Sequence, residues 1–103
     1  MSELTREELD QRGGATVVEF GTSWCPHCQT IQSKMASLLT QYPQIQHLKI
    51  EDGPGQRLGR SFQVKLWPTL VFMREGRVIG QVVRPSQKEM EDGFSTLASA
   101  AGD

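Results

Sequence analysis

Apolar positions along this chain follow two rhythms. Compact runs rich in β-branched and aromatic residues occur at Thr16-Val17-Val18-Glu19-Phe20 and at Thr69-Leu70-Val71-Phe72-Met73, and Ile45 to Ile50 carries apolar side chains at Ile45, Leu48 and Ile50. These runs predict strands. A further run, Arg77-Val78-Ile79-Gly80-Gln81-Val82-Val83, follows the turn residues Glu75-Gly76, which predicts an antiparallel hairpin. The second rhythm is helical. Ile31, Met35, Leu38, Leu39 and Tyr42 share one face of a helix that ends before Pro43, and Met90, Phe94, Leu97 and Ala98 form the stripe of a last helix.

Polar residues mark where these elements begin. Thr5 with Glu8 and Ser86 with Glu89 have the spacing of capping boxes; the first opens a short helix that stops at Gly13-Gly14. Pro26 suits a first helical turn, where its missing N–H costs nothing. Leu58 and Phe62 anchor a short, irregular helix. The resulting order is αβαβαββα. A helix between the first two strands favours a parallel crossover, and the closing hairpin adds antiparallel strands, so the expected fold class is α/β with a mixed sheet.

Composition narrows the function. At 103 residues the chain suits one compact domain spanning 1–103, with no repeat or low-complexity tract. Its 11 basic residues against 12 acidic ones make no electrostatic case for nucleic acid or an anionic membrane. The apolar runs are far too short for a membrane span. Met1-Ser2-Glu3-Leu4-Thr5-Arg6-Glu7-Glu8 lacks the apolar middle of a secretory signal, so the expected location is cytoplasmic.

The only two cysteines stand together in Cys25-Pro26-His27-Cys28. Thiols this close cannot tie distant segments together, but they can pass two electrons by opening and closing one small disulfide ring. Cys25 falls at the start of the helix that Pro26 begins, where free N–H groups and the helix dipole favour a thiolate. Cys28 lies a turn deeper. His27, as a cation or N–H donor, would stabilise the Cys25 thiolate further; a solvated His27 without effect is the plainer alternative. Glu19 sits inside an apolar strand, so its carboxyl must be either protonated or paired.

Trp24-Cys25-Pro26-His27-Cys28 at a strand-to-helix junction, with Trp67-Pro68-Thr69 farther on, resembles the thioredoxin superfamily across almost the whole chain. The resemblance implies a thioredoxin fold: a central mixed four-stranded sheet flanked by helices, with the usual first strand missing or reduced to a vestige near Glu3-Leu4. It implies a thiol–disulfide oxidoreductase in which Cys25 attacks a substrate disulfide and Cys28 resolves the mixed disulfide, the Cys25–Cys28 pair serving in place of a cofactor. Glu19 becomes the base that deprotonates Cys28, with Lys49 as its partner. Pro68 is expected to be cis, with Trp67 offering its backbone to an extended substrate segment and Trp24 adding an apolar rim. Arg84-Pro85 replaces a loop that often carries glycine, so Arg84 narrows the groove. The Pro26-His27 pair is associated with disulfide oxidases, which implies a more oxidising couple than an ordinary thioredoxin has.

The leading expectation is a monomeric cytosolic reductase acting on disulfide-containing proteins or small thiols, recharged by a thioredoxin reductase or glutathione system. The same site in an oxidising compartment would run as an oxidase or isomerase. A binding module that keeps the fold without turnover is a different class. Metal binding is weakly supported: one CxxC with His27 and a distant His47 lacks four well-spaced ligands, and no His follows Cys28 as haem attachment requires.

Overall fold

A computed structural model describes residues 4–101 of the chain. Its elements run α1 (Arg6–Asp10), β1 (Ala15–Gly21), α2 (Pro26–Thr30), α3 (Gln32–Gln41), β2 (Gln46–Glu51), α4 (Arg57–Ser61), β3 (Thr69–Arg74), β4 (Arg77–Val83) and α5 (Gln87–Ala101). Both capping boxes form. Glu8 N donates to Thr5 Oγ1 at 3.1 Å while Thr5 N donates to the Glu8 carboxylate at 2.8 Å, and Ser86 with Glu89 repeats the pattern at 3.1 and 2.9 Å.

One difference from the expected order matters for function. The helix predicted from Pro26 to Tyr42 is two helices, broken at Ile31. At the break the Gln32 side chain reaches back and donates to the Cys28 carbonyl at 2.7 Å. A side chain inserted into the i→i−4 ladder is a recognised cause of such a kink. The spacing of apolar residues cannot register it, because Ile31, Met35 and Leu38 all stay on the buried face. Helix α1 is also shorter than its glycine stop suggests. The vestigial first strand was expected at Glu3-Leu4. Glu3 lies outside the described residues, and Leu4 is in no strand.

The four strands form one mixed sheet in the order β2-β1-β3-β4. β1 pairs with β2 in parallel and with β3 antiparallel, and β3 pairs antiparallel with β4. Central β1 is buried along its whole length. Alternate residues along it face opposite layers. Ala15 and Val17 join Leu70 and Phe72 of β3 against Met35 and Leu38 of α3 and Met90, Phe94 and Leu97 of α5. Val18 and Phe20 join Val71 and Met73 against Leu9 of α1, Leu58 of α4 and Phe62. Burying a side chain such as Phe94 or Leu97 stabilises the fold by about 1.5–3 kcal/mol each. By this alternation Glu19 points to the same layer as Val17, beneath α2 and α3. None of the described helices is long and apolar enough to cross a membrane.

Close approach between α5 and the sheet depends on Gly93, where an added Cβ would come within 2.3 Å of the Phe72 ring. Helix propensity and packing therefore oppose each other at this position. Alanine gains up to about 1 kcal/mol of helix propensity, whereas overpacking a filled core costs about 1–3 kcal/mol. Gly93→Ala is expected to lower the urea midpoint; an unchanged or raised midpoint would show that Phe72 moves aside freely.

Candidate active site

Parallel pairing with β2 holds the end of β1 in register up to Gly21, and the chain then turns into α2. Thr22 O accepts from Cys25 N at 3.3 Å, which closes that turn. Cys25 is the N-cap of α2: its backbone is extended (φ −80°, ψ 116°) and its Sγ accepts from Cys28 N at 3.3 Å. A sulfur thus takes the role usually filled by a Ser or Asp oxygen. Pro26 occupies the first turn as expected. Both cysteines are unbridged thiols and both are buried, next to Trp24, whose ring is 68% exposed.

The two thiols are electrostatically unequal. Burial would raise Cys25, but it is outweighed by hydrogen bonds from the Cys28 thiol and from the backbone N–H groups of Cys28 and His27, together with the charge of Arg84; the Cys25 thiol is lowered. Cys28 is pushed up to about 11, first by burial, then by its hydrogen bond with Cys25 and the negative charges of Cys25 and Glu19. His27 acts on Cys25 through its backbone. Its side chain is exposed, and the cation that acts on Cys25 belongs to Arg84.

Glu19 is fully buried, and the structure resolves the choice between protonation and pairing in favour of pairing. Its partner is not Lys49. Although Lys49 is the register partner of Glu19 on β2, its side chain is exposed and acts on the carboxylate only by its charge. The hydrogen bonds come from His47, with Nε2 at 2.8 Å from Oε1, and from Gln32, whose amide donates to Oε2 at 2.8 Å. His47 lies two residues before Lys49 and therefore on the same face of β2. Its shorter, planar side chain reaches the carboxylate while staying 24% exposed at its outer edge. Burial raises the Glu19 carboxyl, but these two hydrogen bonds and the charges of His47 and Lys49 bring it below the usual range.

The Trp67–Pro68 peptide bond is cis. Trp67 O lies 4.0 Å from Cys25 Sγ, the Trp67 indole donates to Asp52 Oδ2 at 2.8 Å, and its ring meets Trp24 edge-on with centroids 5.7 Å apart. Arg84 Nε donates to Trp67 O at 3.0 Å, and Arg84 N donates to Pro68 O at 2.8 Å. Trp24, Trp67, Pro68 and Arg84 are therefore gathered around Cys25, and Glu19 lies beneath Cys28. The sequence reading missed His47, Gln32, Asp52 and Gly21. An added Cβ on Gly21 would sit 2.6 Å from Cys28 Sγ, so glycine leaves room for that sulfur. Two signals pointed to His47 and Gln32 alone: the i, i+2 spacing of His47 and Lys49, and the i, i+4 spacing of Cys28 and Gln32. No group of three or more His, Cys, Asp or Glu side chains among the described residues is placed to hold a metal ion.

The sequence model of the Thioredoxin family matches residues 3–95. The chain belongs to the thioredoxin family. It is 33% identical over 76 residues to Thioredoxin H5 of Arabidopsis thaliana, covering 74% of this chain and 64% of that protein's length. Thioredoxin 2 of Pseudomonas aeruginosa, solved in its reduced form, is 55% identical with a TM-score of 0.84, covering 95% of this chain and 92% of that one. Mitochondrial thioredoxin 3 of Saccharomyces cerevisiae, at 24% identity and a TM-score of 0.79 over 86% of this chain and 84% of that one, shares the fold. The four-stranded sheet flanked by helices is the thioredoxin fold, and the chemistry of the family is thiol–disulfide exchange.

In this thioredoxin-family site the two thiols are expected to ionise in separate steps. Thiolate absorbance of the reduced protein rises first below the reference value of 9.0 as Cys25 ionises, and again near pH 11 as Cys28 does; a single merged step near 9 contradicts the asymmetry.

Glu19 links the site to stability. Its native value lies below the reference of 4.5. Its ionised form therefore stabilises the fold fully above that reference, and the contribution is lost as pH falls through the native value. His47→Ala is expected to cost about 1–3 kcal/mol at pH 7 by leaving a buried acceptor without its donor. Urea titrations at pH 7 and at successively lower pH check this: the gap between the two proteins closes as Glu19 becomes protonated, and a gap independent of pH argues against the pairing.

Proposed function

We propose that this chain is a thiol–disulfide oxidoreductase in which Cys25 is the nucleophile and Cys28 the resolving thiol. The observation that carries this reading is the inequality of the thiols: Cys25 caps α2 and is lowered, while Cys28 is held as a thiol by burial and by neighbouring negative charge. Cys25 thiolate attacks a substrate disulfide, forming a Cys25–substrate bond and releasing one substrate sulfur as thiolate. Attack consumes the charge on Cys25, which removes one of the causes that held the Cys28 proton. Glu19, hydrogen-bonded through Gln32 to the Cys28 carbonyl, takes that proton. Cys28 then attacks Cys25 Sγ, expels the second substrate sulfur and leaves the Cys25–Cys28 disulfide. Two electrons pass to the substrate, and the two protons of the dithiol end on the two released thiols through solvent. The disulfide itself is the redox group, with no further cofactor required.

In a cytosolic setting the cycle runs as a reductase of protein disulfides, recharged by a thioredoxin reductase or by glutathione. Stabilising the Cys25 thiolate favours the dithiol form, which supports a couple more oxidising than that of an ordinary thioredoxin, in line with Pro26-His27. In an oxidising compartment the same couple acts as an oxidase.

Two measurements test the proposal. Wild-type protein is expected to reduce insulin with dithiothreitol as electron source, and Cys28→Ser to accumulate a mixed disulfide through Cys25 while losing nearly all turnover. A folded chain that does neither is a binding module. Equilibration in a glutathione buffer gives the potential, and a value as low as a typical thioredoxin's removes the oxidising reading.

A further inference from the structure

Arg84 bonds the Trp67 carbonyl, Arg60 and Lys65 line a cleft beside Trp67, and none of the three forms an ion pair among the described residues. Arg84 is held by Nε to Trp67 O, with no partner for its Nη atoms among the described residues. Arg60, Lys65, Asp52 and Trp67 line an open cleft of about 190 Å³. Asp52 is the one acidic residue of that cleft, and its Oδ2 accepts from the Trp67 indole, so two cations face a single carboxylate there. Arg60 and Lys65 are exposed, and among the described residues neither has a carboxylate partner, in contrast to Arg6, Lys34 and Lys88, which pair with Asp10, Glu91 and Asp92. The chain as a whole is nearly neutral, so this is a local concentration of positive charge.

Arg84 is the decisive member. It adopts φ +46°, a left-handed conformation that glycine takes without strain and arginine does not. The strained position sets the guanidinium against the same carbonyl that Cys25 Sγ approaches at 4.0 Å. A polypeptide laid along Trp67 toward Cys25 passes this guanidinium, whose open Nη atoms suit a carboxylate. The edge-on Trp24–Trp67 pair supplies the apolar contact area.

We infer that the groove around Trp67 selects protein disulfides whose attacked cysteine is flanked by Asp or Glu, with Arg84 contacting the carboxylate nearest the disulfide and Lys65 and Arg60 contacting those beyond Trp67. The inference rests on the thiol–disulfide exchange proposed above and gives that exchange a substrate class.

The test uses three disulfide-bonded peptides identical except for Asp, Ser or Lys beside the reactive cysteine, with second-order reduction rates measured for the reduced full chain. The Asp peptide is expected to react roughly tenfold faster than the Lys peptide at low ionic strength, with Ser between them. In about 1 M salt, where charges are screened within roughly 3 Å, the ratio collapses toward one. Arg84→Met is expected to cut the low-salt ratio several-fold, and Arg84→Lys to restore part of it. Arg84→Gly suits the local backbone, and its thermal melt and Asp-to-Lys ratio separate lost selectivity from lost folding. Equal rates for the three peptides overturn the inference. So does an Arg84→Met variant that slows all three equally, because Arg84 then acts only by lowering Cys25. If no peptide is reduced and insulin is also untouched, the exchange reading itself fails; if insulin is reduced but no peptide is, only the substrate class fails.

Discussion

A fully buried carboxylate beneath the reactive cysteines is the constraint around which this structure is arranged. An isolated ionised carboxylate in an apolar layer is so costly that it protonates or finds partners. Glu19 finds two, and each comes from a different element: His47 from β2 and Gln32 from α3. The same Gln32 amide also donates to the Cys28 carbonyl. Satisfying one charge therefore joins the parallel strand pair, the break between α2 and α3, and the backbone of the second cysteine. The kink at Ile31 belongs to this arrangement, since it brings the Gln32 side chain back toward the sheet.

The paired charge also explains the division between the thiols. A carboxylate kept ionised below Cys28 opposes a second negative charge there, and burial acts in the same sense. Cys25 has the opposite surroundings, with N–H donors at the start of α2 and a guanidinium across the groove. Charge is thus directed to the Cys25 sulfur, beside exposed Trp24. A carboxylate with a lowered value is a weaker base than one with a raised value, so in the exchange proposed above proton transfer from Cys28 depends on the loss of the Cys25 charge that accompanies attack. On that proposal, electrostatics orders the two steps of exchange.

Much of this was legible in the chain. The strand Thr16–Phe20, the hairpin around Glu75-Gly76 and the capping boxes at Thr5 and Ser86 all formed, because hydrophobic period and cap chemistry act within a few residues. The structure also gathers Cys25, Cys28, Glu19, Trp24, Trp67, Pro68 and Arg84 at one end of the sheet, although they lie as far apart in sequence as Glu19 and Arg84. Lys49 shows where such reading stops. Strand alternation places both His47 and Lys49 on the face toward Glu19, and only side-chain reach decides which of them bonds. A similar limit applies to His27. Its place between the cysteines suggested a cation at the thiolate, yet at the first turn of α2 its side chain is directed to solvent, and the nearby cation comes from Arg84, far along the chain.

The amino-acid sequence by itself determined the order of elements, the mixed sheet and the presence of a reactive dithiol at a helix start, because each depends on periodicity, caps and neighbours in the chain. Tertiary structure alone decided the partner of Glu19, the break at Ile31, the space that Gly21 leaves for Cys28 and the cations around Trp67. Those depend on which side chains from separate strands and helices converge at one point, and on the distances between them, which no local pattern encodes.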